Sequence, residues 1–269
     1  MLIKPLHTVS LIRKIKFTCG RALTSSVGKE NESKLDAEDS KSATSDWLSV
    51  GDLISEQRLI SCHNIDQWPQ DLFDKIRNSK DVKVFTNFIN EKEENQFERD
   101  THQQLRRLRY EEEHWDDAIR KYREIEKTDW SPICSAVVKR VREIGFESQN
   151  RLISSVHVLD LAADGYIKPH IDSERYCGDT IAGLSLLSDS VMRLVHKDHK
   201  HLMFDLHLER LSLYILKGVA RYDFTHEVLP DAESYFNGAR VPRTGRRLAV
   251  ICRSLPASTK GVYDYDKPT

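Results

Sequence analysis

The chain has 269 residues, 39% hydrophobic and 31% charged, with 41 basic against 42 acidic side chains and a formal net charge of −1. No run approaches the ~18 consecutive apolar residues that a membrane-spanning helix needs. The five cysteines (Cys19, Cys62, Cys134, Cys177 and Cys252) are scattered, odd in number and without a C-x-x-C pair, so they read as reduced thiols rather than a disulfide framework.

Residues 1–29 carry Lys4, Arg13, Lys14, Lys16, Arg21 and Lys29 and no acid before Glu30, with Leu2, Ile3, Leu11, Ile12, Ile15 and Phe17 as an apolar side. A basic, hydroxyl-bearing, acid-free and potentially amphipathic start is the signature of a mitochondrial transit peptide. A merely basic disordered tail is the alternative. Without this segment the chain is net acidic, which gives no generalised pull on nucleic acid. Residues 30–46 have almost nothing to bury and read as linker. The apolar residues of 47–80 suggest short helices without placing them, so 30–80 is assigned as a linker or poorly defined extension.

A domain is expected over 81–255, followed by a tail over 256–269. Val82–Phe85 reads as a strand, and Asn90 (or Thr86) can cap a helix running to about Arg109. The stretch Tyr110–Ile119 is densely acidic with interleaved aromatics. It reads as a solvated helix or loop anchored by Trp115, Ile119 and Tyr122, because a base-stacking groove should be basic. Ser131-Pro132 then opens a second helix, with Ile133, Val137, Val138, Val141 and Ile144 on one stripe. From Ser154 the period becomes that of strands: Val156–Leu161, Ile167–Asp172, Thr180–Leu187, Val191–His196, Leu202–Leu208, Leu213–Leu216, Tyr222–Val228 and Arg247–Arg253. Eight such runs predict an α+β, mainly β fold, a double-stranded β-helix (jelly roll) with N-terminal supporting helices.

His170 and Asp172 lie two apart in a strand, so they share a face. With His226 on a later strand they make the two-His, one-carboxylate set of a non-haem Fe(II) site, open on its other side. The bland alternative is a strand-end pair satisfied by backbone. Arg247 and Arg253 share a face of the last strand with Cα atoms about 20 Å apart, and arginine suits bidentate carboxylate recognition. Solvent exposure or pairing with protein acids is the other reading.

Residues from about Val82 to Arg253 resemble the AlkB group of Fe(II)/2-oxoglutarate dioxygenases. The matching stretches are Gly165–Asp172, Ile181–Leu187, Gly218–His226 and the R-x₅-R strand, in that order. Tyr110–Trp130 and Arg151–Asp172 further resemble the group's mitochondrial homologue 7 branch. The resemblance implies His170, Asp172 and His226 as iron ligands and Arg247, Arg253 and Tyr214 as contacts to the 2-oxoglutarate cosubstrate. It implies oxidation of a prime substrate with O₂, 2-oxoglutarate leaving as succinate. Leu159 and Leu161 stand where nucleic-acid demethylases of the group often carry N-x-Y, and Arg247-Leu248-Ala249 replaces R-x-N, so polar cosubstrate contacts are fewer. Residues 110–153 show no hairpin signal where repair members carry a nucleic-acid-gripping lid. An open site acting on a protein or small molecule is therefore expected, in a monomeric matrix enzyme. The branch is associated with programmed necrosis after alkylation damage and with fatty-acid metabolism. Demethylation of mitochondrial RNA, or low-turnover binding of iron and 2-oxoglutarate, are the alternatives.

Overall fold

Leu59, Ile60, Trp68 and Ile76 supply enough apolar surface to tie their segment onto the domain, and all four are buried. The computed structural model describes residues 55–78, 81–147 and 151–256. Gln57–Leu59 form a 3-10 turn, Ile60–Cys62 a strand (β1), Ile65–Gln67 another 3-10 turn and Gln70–Arg77 a helix (α1). The globular fold thus begins ahead of Asp81, which corrects the assignment of this stretch to an extension. Residues 1–29 and 30–46, read above as transit peptide and linker, lie outside the described residues, as do Cys19 and residues 257–269.

Strand β2 (Val82–Phe85) leads to helix α2 (Glu91–Leu105), which starts where expected and ends four residues before Arg109. Asn90 Oδ1 accepts from the Glu93 amide while the Glu93 carboxylate accepts from the Asn90 amide, a reciprocal cap. Helix α3 (Pro132–Gly145) opens on Ser131, whose hydroxyl accepts from the Cys134 amide, and buries Val137, Val138 and Val141.

Between these helices the expectation of a charged helix or loop fails. Strands β3 (Glu111–Glu113) and β4 (Ile119–Lys127) pair antiparallel as a hairpin. The spacing of Ile119 and Tyr122 mimics a helix because β4 carries a bulge, while Ile125 packs on the opposite face. Lys121 sits at φ 51°, and the register shifts between Arg120 and Tyr122. One extra residue returns Tyr122 to the inner face and destroys the period of two.

Strands β5 (Val156–His170), β6 (Thr180–Leu186), β7 (Ser190–His196), β8 (Met203–Leu208) and β9 (Ser212–Lys217) follow. A short helix α4 (Gly218–Tyr222) precedes β10 (Phe224–Val228), a small hairpin joins β11 (Tyr235–Phe236) to β12 (Ala239–Arg240), and β13 (Arg247–Arg253) ends the domain. The two strands expected over Val156–Leu161 and Ile167–Asp172 are one long strand. Residues 162–165 between them lie opposite the β4 bulge, where a Cβ on Gly165 would come within 2.6 Å of the Lys121 carbonyl. Glycine is what permits this close approach.

That long strand organises the fold. Its first half pairs with β13 and its second half with β10, so the ladder turns over on itself into two layers. One runs β13-β6-β9-β2 and the other β10-β7-β8-β1, all antiparallel. This is the jelly roll. Residues such as Leu159, Ile181, Met192, Leu194, Leu216 and Phe224 fill the space between the layers. A second core, with Phe97, Val137, Val141, Leu184, Ile215 and Val250, packs α2 and α3 on the outside of the first layer. The helices brace the sheet as expected. Cys62, Cys134, Cys177 and Cys252 are all free thiols. Among the described residues no helix is long and apolar enough to cross a membrane.

Candidate metal and cosubstrate site

Antiparallel pairing sets His226 directly opposite His170, so residues far apart in sequence share one face, with ring centroids 4.3 Å apart. Asp172 follows just past the end of β5. Its Oδ1 lies 3.4 Å from His170 Nε2 and 3.6 Å from His226 Nε2. One ligand atom from each of the three residues falls within 4.8 Å of the others, and this is the one group of three such side chains close enough to hold a metal among the described residues. The strand-end alternative satisfied only by backbone is not what the chain builds.

Neighbours orient two of these three side chains. His170 Nδ1 donates to the Lys168 carbonyl at 2.9 Å, which leaves the Nε2 lone pair for a metal. Arg253 Nε donates to Asp172 Oδ2 at 2.9 Å and leaves Oδ1 toward the histidines. The buried Arg221 donates to the Asp172 carbonyl at 2.8 Å and to those of Cys177 and Gly178, pinning the turn after β5. Burial pushes His226 down to about 3, with the neighbouring His170 adding to it. Burial also acts to depress His170, but the hydrogen bond and charge of Asp172 outweigh it and His170 ends raised. Burial likewise acts against the Asp172 carboxylate, yet Arg253 and the two histidines hold it well below the usual carboxylate range.

Behind the triad, a cavity between the layers is lined by Leu159, Met192, Tyr214, Arg247 and Ile251 as well as the triad itself. Arg247 is 1% exposed. Its Nε donates to Ser190 Oγ at 3.0 Å, Nη2 has no partner, and among the described residues no carboxylate pairs with it. Burial lowers its pKa, with the Tyr214 hydroxyl beside it partly offsetting this. Tyr214 reaches that place because its ring lies over Gly183, its cross-strand partner, where a Cβ would meet the ring at 2.5 Å. A buried guanidinium left without an anion is costly. The cavity therefore fits a carboxylate at its Arg247 end, and the three side chains at its other end could hold a metal ion.

Arg253 departs from the expectation that both arginines close around one far carboxylate. The separation along β13 puts them at opposite ends, and the charge of Asp172 takes Arg253 to the metal end. Leu159 faces the cavity and Leu161 is fully buried, so neither replaces the polar contacts noted as lacking. Trp115, expected as an anchor, is 88% exposed at the hairpin tip, whereas Ile119 and Tyr122 are buried. Sequence reasoning missed the roles of Arg221, in helix α4, and of His157 and Glu124, each a single polar residue in a strand with no spacing to mark it. Only the position of Arg221 inside the Gly218–His226 stretch carried a signal.

On the open side of the triad a cleft of ≈ 600 Å³ is lined by His114, Asp116, Glu124 and Glu126 of the hairpin and by Ser173 and Tyr176.

A jelly roll with this triad and a buried arginine that no protein carboxylate pairs is the arrangement expected of a metal-dependent oxygenase with a carboxylate cosubstrate. The family model described as "2OG-Fe(II) oxygenase superfamily" matches residues 58–253, and the chain belongs to that superfamily. Over 173 residues it is 55% identical to the mouse (Mus musculus) protein named alpha-ketoglutarate-dependent dioxygenase alkB homolog 7, mitochondrial, covering 64% of this chain and 78% of that one. The bovine (Bos taurus) protein of the same name is 56% identical over 169 residues, covering 63% and 76%. Within the superfamily its place is the AlkB group, homologue 7 branch. Among solved structures, a Pseudomonas putida prolyl-4-hydroxylase aligns with a TM-score of 0.46 at 13% identity, over 68% of this chain and 95% of that one.

Proposed function

We propose that His170, Asp172 and His226 hold Fe(II), that Arg247 and Tyr214 receive the far carboxylate of 2-oxoglutarate while Arg253 supports the metal end, and that the prime substrate is a protein side chain or a small molecule. The chain is an Fe(II)- and 2-oxoglutarate-dependent dioxygenase, as its family implies. The observation that carries the site assignment is the buried Arg247 guanidinium, free of any protein carboxylate and opening into the same cavity as the triad.

Fe(II) and 2-oxoglutarate, when bound, supply the O₂-dependent oxidation, with succinate as the cosubstrate product. The protein supplies placement. The Lys168 carbonyl and Arg253 aim the ligands, Arg247 with Tyr214 sets the cosubstrate's direction, and Leu159, Met192 and Ile251 keep the cavity apolar around it. The prime substrate enters by the cleft, whose hairpin wall offers Asp116, Glu124 and Glu126 and no lysine. A phosphate backbone would be repelled there, which supports a substrate other than nucleic acid. The mitochondrial relatives and the acid-free segment 1–29 support a matrix location, and a monomer is the expected state. A part in programmed necrosis or fatty-acid metabolism fits a substrate outside base repair.

The test compares succinate formation by the Fe(II)-loaded protein with fractionated mitochondrial matrix, with matrix small molecules and with methylated RNA. Acceleration by a protein or small-molecule fraction, lost in His170→Ala, is expected. Methyl release from RNA that depends on His170 would replace this reading with the demethylase one.

A further inference from the structure

His157 lies on β5, thirteen residues ahead of His170, and its hydrogen bonds go to Glu124 and Arg253 rather than to the triad. It lines both the cosubstrate cavity and the open cleft. The register sets it between Glu126 of β4 and Ile251 of β13, so its side chain shares a face with Glu124 on one side and Arg253 on the other. Its Nδ1 is 2.8 Å from Arg253 Nη1, and its Nε2 is 2.9 Å from Glu124 Oε2. A guanidinium has only donors, so Nδ1 must accept, and the ring's proton must sit on Nε2, facing an acceptor. Both bonds therefore select the same neutral tautomer.

We infer that His157, held by Glu124, is a positioning residue for the metal centre, acting through Arg253 on Asp172. Arg253 binds His157 through Nη1 and Asp172 Oδ2 through Nε, so the ring fixes the plane of the guanidinium. That plane in turn decides which Asp172 oxygen is engaged and which faces the histidines. Glu124 belongs to the hairpin, and its other oxygen lies 3.7 Å from His114 Nε2, while His114 Nδ1 is 2.5 Å from Asp116. A row of polar contacts thus runs from the cleft wall to the carboxylate ligand.

This inference rests on the reading of the triad as a metal site, and Co(II) absorption separates the two. Wild type should bind Co(II) and show ligand-field bands. If it does not, the metal reading falls and the inference falls with it. His157→Phe keeps the ring's bulk but offers Arg253 no acceptor. It should weaken Co(II) binding about tenfold, the low end of what partners of metal ligands are worth, and shift the bands. His157→Asn, whose side-chain oxygen can stand near Nδ1, should restore both, while His157→Gln, with its oxygen nearer Nε2, should not. Melting temperatures measured alongside show whether each variant folds. Wild-type affinity and bands in a folded His157→Phe would overturn the inference, as would identical spectra for the Asn and Gln variants.

Discussion

His170 and His226 face each other across one strand pair and yet hold their protons differently. His226, driven by burial to about 3, prefers to stay neutral in the fold, while an unfolded histidine titrates near ~6.5. The unfolded chain therefore takes up the proton first as pH falls. The stability tied to this residue is full above ~6.5 and is lost progressively toward pH 3. His170 is raised and acts in the opposite sense, its contribution fading as pH rises through its folded value. Thermal melts of the metal-free protein between pH 7.5 and 5 should show a falling melting temperature, with a shallower slope in His226→Gln. An unchanged slope would mean that His226 is not held neutral. His170→Ala, Asp172→Ala and His226→Ala should each abolish Fe(II) uptake at stoichiometric metal with the fold kept; full iron content in all three would remove the site. At this scale the meeting of His170, Asp172 and His226 was legible because antiparallel return sets His226 opposite His170 and Asp172 follows two residues on, just past the strand end. The supports were not, since Arg253, Arg221 and His157 owe their roles to partners that only the folded sheet brings near.

The hairpin of β3 and β4 is the element that sequence patterning misjudged, and the cause is local. A bulge at Lys121 makes a strand look helical, and exposed Glu111–Glu113 has no apolar face to declare it. The consequence for Trp115 is direct. At 88% exposure, Trp115→Ala should change stability by no more than about 0.5 kcal/mol. Tyr122→Ala, which empties a buried site, should cost about 3–5 kcal/mol. Chemical denaturation of both variants measures this, and equal costs would contradict the burial pattern. The pairing of Gly183 with Tyr214 makes a second prediction. A Cβ at 183 must displace the tyrosine ring, so Gly183→Ala should weaken 2-oxoglutarate more than Tyr214→Phe, which removes only the hydroxyl. The reverse order in a cosubstrate titration would detach Gly183 from the site. Helices α2 and α3, by contrast, began where expected because their caps are written in adjacent residues.

For the whole molecule, the jelly roll was legible from repeated strand runs, whereas its outer parts were not. Residues 57–77 fold only by laying Leu59, Trp68 and Ile76 on the sheet, and β1 exists only as a partner of β8. Mass spectrometry of the endogenous protein is expected to find an N-terminus between Arg21 and Glu30 or just after it; an intact Met1 on the matrix form would contradict import with cleavage. The central claim is that the two layers enclose a cavity with a metal at one end and a carboxylate-binding arginine at the other. Calorimetry of the metal-loaded protein with 2-oxoglutarate and with pyruvate, which lacks the far carboxylate, tests it most directly. A charge-assisted hydrogen bond to a buried carboxylate is worth ~1.5–3 kcal/mol, so Arg247→Ala should weaken 2-oxoglutarate roughly 10- to 150-fold. Pyruvate binding should be unchanged by the substitution. Equal weakening of both ligands, or of neither, would contradict the assignment of Arg247 to the far end of the cavity.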